Sequence, residues 1–104
     1  MEEQKAKGEI SRVAVTGAAG FIGSHTCEGL IKAGKTVIGI DNLSSGKLSN
    51  LKGIAKIKEF SFLQADICHE DLMQTILNDF QPDAVIHLAA LVSVPIAEVV
   101  LKVY

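Results

Sequence analysis

The sequence predicts a doubly wound α/β domain built on a parallel sheet, and three observations carry that prediction. Short, near-continuous apolar runs alternate with segments of helical periodicity, the signature of strands buried on both faces. A glycine-rich turn stands where the first run gives way to the first helical segment, and an acidic residue ends the second run. The chain has 104 residues, 48% apolar and 21% charged, which is enough for one core and leaves no room for a second domain.

Residues 1–10 (MEEQKAKGEI) are expected to form a disordered tail, too charged for a signal peptide. Arg12 to Thr16 (RVAVT) reads as the first strand. Phe21, Ile22, Leu30 and Ile31 then recur at helical spacing, and Gly34 is a natural helix stop. Lys35 to Ile40 (KTVIGI) makes the second strand. The Asn, Ser, Gly and Lys cluster from Asn42 to Asn50 is loop material within the domain, and Lys47 in it reads as a solvated surface residue. Glu59 to Gln64 predicts the third strand and Glu70 to Phe80 the second helix, with Leu72, Met73, Ile76, Leu77 and Phe80 on one face. Asp83 to Leu88 predicts the fourth strand. Ile96, Val99, Val100 and Val103 keep helical spacing, so 96–104 is expected to be a helix, with a strand as the alternative.

Ala84 to Leu101 is mostly apolar and approaches the length of a membrane span. His87, Ser93, Pro95 and Glu98 interrupt it, which argues for a buried strand and against a bilayer. Ten Lys and Arg against twelve Asp and Glu give a net charge of -2, so no basic field invites nucleic acid. Two cysteines, Cys27 and Cys68, make no disulfide framework, and a cytoplasmic location with reduced thiols is expected. His25, Cys27, Cys68 and His69 have no zinc-site spacing, and no metal is expected.

Thr16-Gly17-Ala18-Ala19-Gly20-Phe21-Ile22-Gly23 places GxxGxxG at the strand-to-helix junction. Glycine at the first site permits the tight turn, at the second lets a pyrophosphate approach the backbone, and at the third lets helix pack closely on sheet. The amides of the helix's first turn and the helix dipole then attract the phosphates without a basic side chain. The plainer reading is that three glycines form only a turn, but Asp41 follows Gly23 by 18 positions, where a dinucleotide fold sets the acid that accepts from ribose hydroxyls. Its carboxylate would repel a 2′-phosphate, so NAD is favoured over NADP. Residues 11–104 are accordingly expected to form a partial Rossmann-like domain of about four strands in the order 3-2-1-4.

The strings VAVTGAAGFIGSHTCEGL, IGIDNLSSGKLSNL, QADI and VIHLAA resemble the extended short-chain dehydrogenase/reductase superfamily, and within it the UDP-glucose 4-epimerase family of nucleotide-sugar epimerases, over roughly Ser11 to Pro95. The resemblance implies an NAD-dependent isomerase that oxidises a sugar hydroxyl to a ketone and returns the hydride to the opposite face, a step of galactose metabolism. It implies that Gly17, Gly20, Phe21, Ile22 and Gly23 cradle the pyrophosphate through the backbone. Asp41 and Asn42 would hold the adenosine ribose, with Leu43, Ser44, Ser45 and Gly46 along the same edge. Asp66 and Ile67 would touch the adenine, and Leu88, Ala89, Ala90 and Leu91 would run along the cofactor. Plainer readings stand beside these: Asp66 as a helix cap, Ala89 and Ala90 as packing residues, and His87 as a satisfied core histidine.

The superfamily's acid–base chemistry rests on Tyr-x-x-x-Lys, and the one tyrosine here, Tyr104, has no lysine four places on. No catalytic residue is assigned, and the chain is expected to be inactive alone, the nucleotide sugar being a partner only in a longer context. A non-catalytic nucleotide-binding module and an interaction protein are the alternatives. The fourth strand, without a neighbour beyond it, is expected to offer an apolar edge for self-association.

Overall fold

The structure is a computed structural model and describes residues 9–89. The tail expected at 1–10 lies largely outside that range, and so do Ala90, Leu91 and the helix expected at 96–104.

Four strands, β1 (Arg12–Thr16), β2 (Thr36–Asp41), β3 (Phe60–Gln64) and β4 (Ala84–His87), pair in parallel in the order β3-β2-β1-β4. This is the order the sequence predicts, with each strand within one residue of its expected bounds. Helix α1 (Phe21–Lys32) connects β1 to β2, and α2 (Glu70–Phe80) connects β3 to β4. Residues of β1 alternate between the layers: Val13 and Val15 pack toward α1, and Ala14 toward α2. The first cluster also takes in Cys27, Val37, Leu51, Ile54 and Phe60; the second takes in Ile38, Ile40, Met73, Ile76 and Leu77.

Helix α2 is built as its sequence dictates. His69 caps it, accepting from the Leu72 amide, Glu70 and Asp71 lie in the first turn, and Gln81 ends it in the left-handed region at φ 53°. Two expectations are corrected here. Asp66 is not the cap; its Oδ1 instead accepts from the Cys68 amide at 2.9 Å. Leu72 is 39% exposed, because the face that meets the sheet is narrower than the apolar stripe.

Helix α1 departs further from its apolar pattern. Phe21 and Ile22 are 75% and 65% exposed, while Gly23, Ser24 and Cys27 are buried. The loop expected at 42–50 ends in a 3-10 turn at Leu48–Leu51 that seats Leu51 in the core, and Lys47 is exposed as expected. Among the described residues β3 is covered on one face only: Phe60 is buried, whereas Ser61 and Leu63 are exposed. At the amino ends of the strands, Asp83 Oδ2 accepts from the Ser11 and Arg12 amides at 2.9 and 2.8 Å, fixing the entry of β4 beside that of β1. No helix among the described residues is long and apolar enough to cross a membrane.

Candidate functional site

The site forms at the carboxyl ends of the strands, where β1 and β4 lead their loops apart. Gly17 has φ +71°, and a Cβ on it would stand 2.8 Å from the Ala89 nitrogen and the Leu88 carbonyl carbon. A Cβ on Gly23 would lie 1.9 Å from the Gly17 carbonyl oxygen, so α1 approaches the turn as closely as its backbone allows. The first helical bond runs from the Ser24 amide to the Gly20 carbonyl, which leaves the amides of the first turn without intrahelical acceptors. That is the arrangement that receives an anion.

Asp41 ends β2 and is buried, and its carboxylate is engaged from two sides: Oδ2 accepts from the Ala19 amide at 2.8 Å and Oδ1 from the Leu43 amide at 2.8 Å. The second bond holds Leu43 at φ 64° and turns the loop across the cleft. Ala19 answers with its carbonyl, which accepts from the Lys47 amide at 3.0 Å and from Asn50 Nδ2 at 2.8 Å. The glycine turn and the 42–50 loop are thus strapped together through one residue.

On the other wall, Thr16 is fully buried. Its Oγ1 accepts from the Leu88 and Ala89 amides at 3.0 and 3.3 Å and lies 2.7 Å from His87 Nδ1. His87 is exposed, correcting the expectation of a core histidine: β4 has a neighbour on one side only among the described residues. Burial of part of its ring lowers its pKa below the ordinary histidine value. Cys27, deep under α1, has its pKa pushed up to about 12 by burial and by the Glu28 carboxylate.

These walls enclose a cleft of about 340 Å³. Of the residues singled out in the sequence, Gly17, Gly20, Asp41, Asn42, Ser44, Ser45, Gly46, Asp66, Ile67, Leu88 and Ala89 line it together. Gly23 packs beneath the turn, Leu43 points into the core, and Phe21 and Ile22 turn their side chains to solvent. Ala65 and Cys68 line the cleft without having been expected there. Thr16 and Asn50 were also missed; a threonine before a glycine turn hints at a strand-end hydroxyl, but nothing in the spacing marks Asn50. Among the described residues no group of three or more His, Cys, Asp or Glu could hold a metal ion.

The profile of the GDP-mannose 4,6 dehydratase family matches residues 14–97. The chain is 46% identical over 83 residues to a UDP-glucose 4-epimerase of Mycolicibacterium smegmatis, covering 80% of this chain and 26% of that protein. It is 42% identical over 80 residues to a probable dTDP-glucose 4,6-dehydratase of Sinorhizobium fredii, covering 76% of this chain and 23% of that one. Among solved structures, the Bordetella bronchiseptica enzyme WbmH in complex with NAD+ superposes with a TM-score of 0.80 at 29% identity, over 91% of this chain and 36% of that enzyme. The chain thus spans about a quarter of the length of these two curated relatives.

Proposed function

The chain belongs to the GDP-mannose 4,6 dehydratase family, and on that premise we propose that it is the NAD-binding portion of a nucleotide-sugar epimerase of the UDP-glucose 4-epimerase type. The observation that carries this reading is the pairing of Asp41 with the glycine turn on one cleft. The absent Cβ atoms of Gly17 and Gly23 let the turn pack against Leu88 and Ala89 and let α1 pack against the turn, which brings the first-turn amides to the cleft, and the Asp41 carboxylate, two of its lone pairs committed to amides, keeps others for ribose hydroxyls. The residues present therefore fit the dinucleotide.

In this reading the first-turn amides of α1 hold the pyrophosphate, and Asp41 with Asn42 orients the adenosine ribose. Asp66 and Ile67 face the adenine, and Leu88 and Ala89 pass close along the cofactor; Ala90 and Leu91, which the resemblance groups with them, lie outside the described residues. Bound NAD supplies a hydride acceptor and donor. No Tyr-x-x-x-Lys pair occurs in this chain, so the role assigned is cofactor holding, and the nucleotide sugar meets its acid–base groups only in a longer context. A dehydratase of the same family is the second reading, supported by the Sinorhizobium relative. A second copy at the β4 edge is a further proposed partner, and a strictly monomeric species at high concentration in light scattering counts against it.

Calorimetric titration tests the central claim: NAD binds more tightly than NADP, and Asp41→Ala weakens NAD by roughly 10- to 100-fold, as expected for losing hydrogen bonds to a charged acceptor. Tighter binding of NADP, or no binding of either, overturns it.

A further inference from the structure

We propose that His87 is a positioning residue that anchors the β4 wall of the cleft through Thr16, and that protonating its ring releases that wall. The argument begins with the bonding capacity of one hydroxyl: a threonine Oγ1 has one proton and two lone pairs. The Ala89 amide donates into it at 3.3 Å, and the Leu88 amide shares its proton between this hydroxyl at 3.0 Å and the Thr16 carbonyl oxygen at 3.1 Å. Both lone pairs are thereby used, and the hydroxyl proton points at the remaining neighbour, His87 Nδ1, 2.7 Å away. That nitrogen is therefore an acceptor, and the ring is neutral with its proton on Nε2.

A protonated ring reverses the role of Nδ1. Two donors then face each other across a short contact, and Thr16 is fully buried, so its hydroxyl finds no water to turn to. Either the Nδ1 proton takes a lone pair from the Leu88 or Ala89 amide, or the ring swings out and leaves the hydroxyl proton without an acceptor. Both outcomes disturb the Ala89 bond to the hydroxyl and the hydroxyl's share of the Leu88 amide, while the Leu88 bond to the Thr16 carbonyl oxygen stays. Leu88 and Ala89 line the cleft, and their backbone stands where a Cβ on Gly17 would lie, so a shift there reaches the glycine turn directly.

Burial lowers the His87 pKa. The titratable and charged groups of the elements on the ring's side of the sheet are Asp66, Cys68, His69, Glu70, Asp71 and Asp79 in the β3–α2 segment and α2, with Arg12 on β1 and Asp83 before β4 at the opposite end of the strands. A folded-state pKa below the unfolded one means that the anchor is complete above about pH 6.5 and is lost as pH falls through the depressed value.

Where it concerns cofactor affinity, this inference rests on the NAD reading; the ring and amide signals do not. Nitrogen NMR of the His87 ring, amide shifts of Leu88 and Ala89 from pH 8 to pH 5, and calorimetry with NAD test it together. Expected are an unprotonated Nδ1 at pH 8, Leu88 and Ala89 amides that move with the ring's own midpoint, and NAD binding about two- to tenfold weaker at pH 5. His87→Asn, which sets an untitratable oxygen near the place of Nδ1, keeps the high-pH affinity and loses the acid-side fall; His87→Leu binds weakly at both pH values. A proton on Nδ1 at pH 8, amides indifferent to the ring's titration, or the same acid-side fall in His87→Asn overturns the proposal. Absence of NAD binding in every variant, with the ring and amide signals as expected, supports the anchor and overturns the cofactor reading.

Discussion

Helix α2 meets the sheet through Met73, Ile76 and Leu77, whereas α1, on the opposite face, buries Gly23, Ser24 and Cys27 and turns Phe21 and Ile22 outward. The difference follows from what each helix end must do. The amino end of α2 sits beyond β3, and bulky side chains there cost nothing in geometry. That of α1 must come into van der Waals contact with the Gly17 carbonyl so that its free amides border the cleft, and any large residue on that face would hold it off. Helix α2 therefore contributes apolar burial, roughly 1.5–3 kcal/mol for each large side chain removed from water. Helix α1 gives up part of that contribution for backbone proximity.

A single carbon added or removed on each helix tests the contrast. Gly23→Ala adds one at 1.9 Å from the Gly17 oxygen; we expect at least about 3 kcal/mol of lost stability, the top of the range for overpacking, and loss of measurable NAD binding, read by denaturant unfolding and calorimetry. If Gly23→Ala binds normally, close approach is not what α1 is for. The cysteines sharpen the same comparison. Cys27, on the buried face of α1 with a pKa raised to about 12, is expected to resist alkylation at pH 8 in the folded chain, while exposed Cys68 reacts; mass spectrometry before and after denaturation distinguishes them. The raised pKa also means that folding gains from the neutral thiol below about pH 9 and loses that gain as pH climbs toward 12.

Ile76→Val removes one carbon from α2 and should cost about 1 kcal/mol in unfolding free energy with unchanged NAD affinity. Gln81→Gly should stabilise by about 0.5–1 kcal/mol, because the left-handed residue that ends α2 is a glycine position. Smallest is Phe21→Ser, within about 0.5 kcal/mol of neutral for a side chain already in solvent, a null that would fail if that ring were part of the core.

The same contrast explains how much was legible beforehand. The bounds of α2, Glu70 to Phe80, are those read from periodicity, because large apolar residues at helical spacing state both an element and its buried face. The strands were legible as short apolar runs, their order followed from the topology that the glycine turn and Asp41 imply, and the family was legible in the glycine turn, the acid at Asp41 and the HLAA string. The face of α1 was not, since hydropathy is silent on glycine and serine and misleading on Phe21 and Ile22, which are exposed to solvent. Most of the cleft lining was foreseen. The bonds that shape it were not: Asp41 to Ala19, Asn50 to Ala19 and Thr16 to His87 are tertiary contacts that no local pattern encodes.

The two walls of the cleft also differ in how far apart in the chain their partners lie. Asp41 and Ala19 are 22 residues apart, while Thr16 and Leu88 are 72 apart. Loop closure and contact order make the first a contact that can form as soon as β1, α1 and β2 have come together, and the second one that waits for β4. By this reasoning the Asp41 wall of the cleft can take shape while the Thr16 wall is still unmade. A ligand needing both can be captured only after the fourth strand has docked, which makes its binding a report that β4 is in place beside β1.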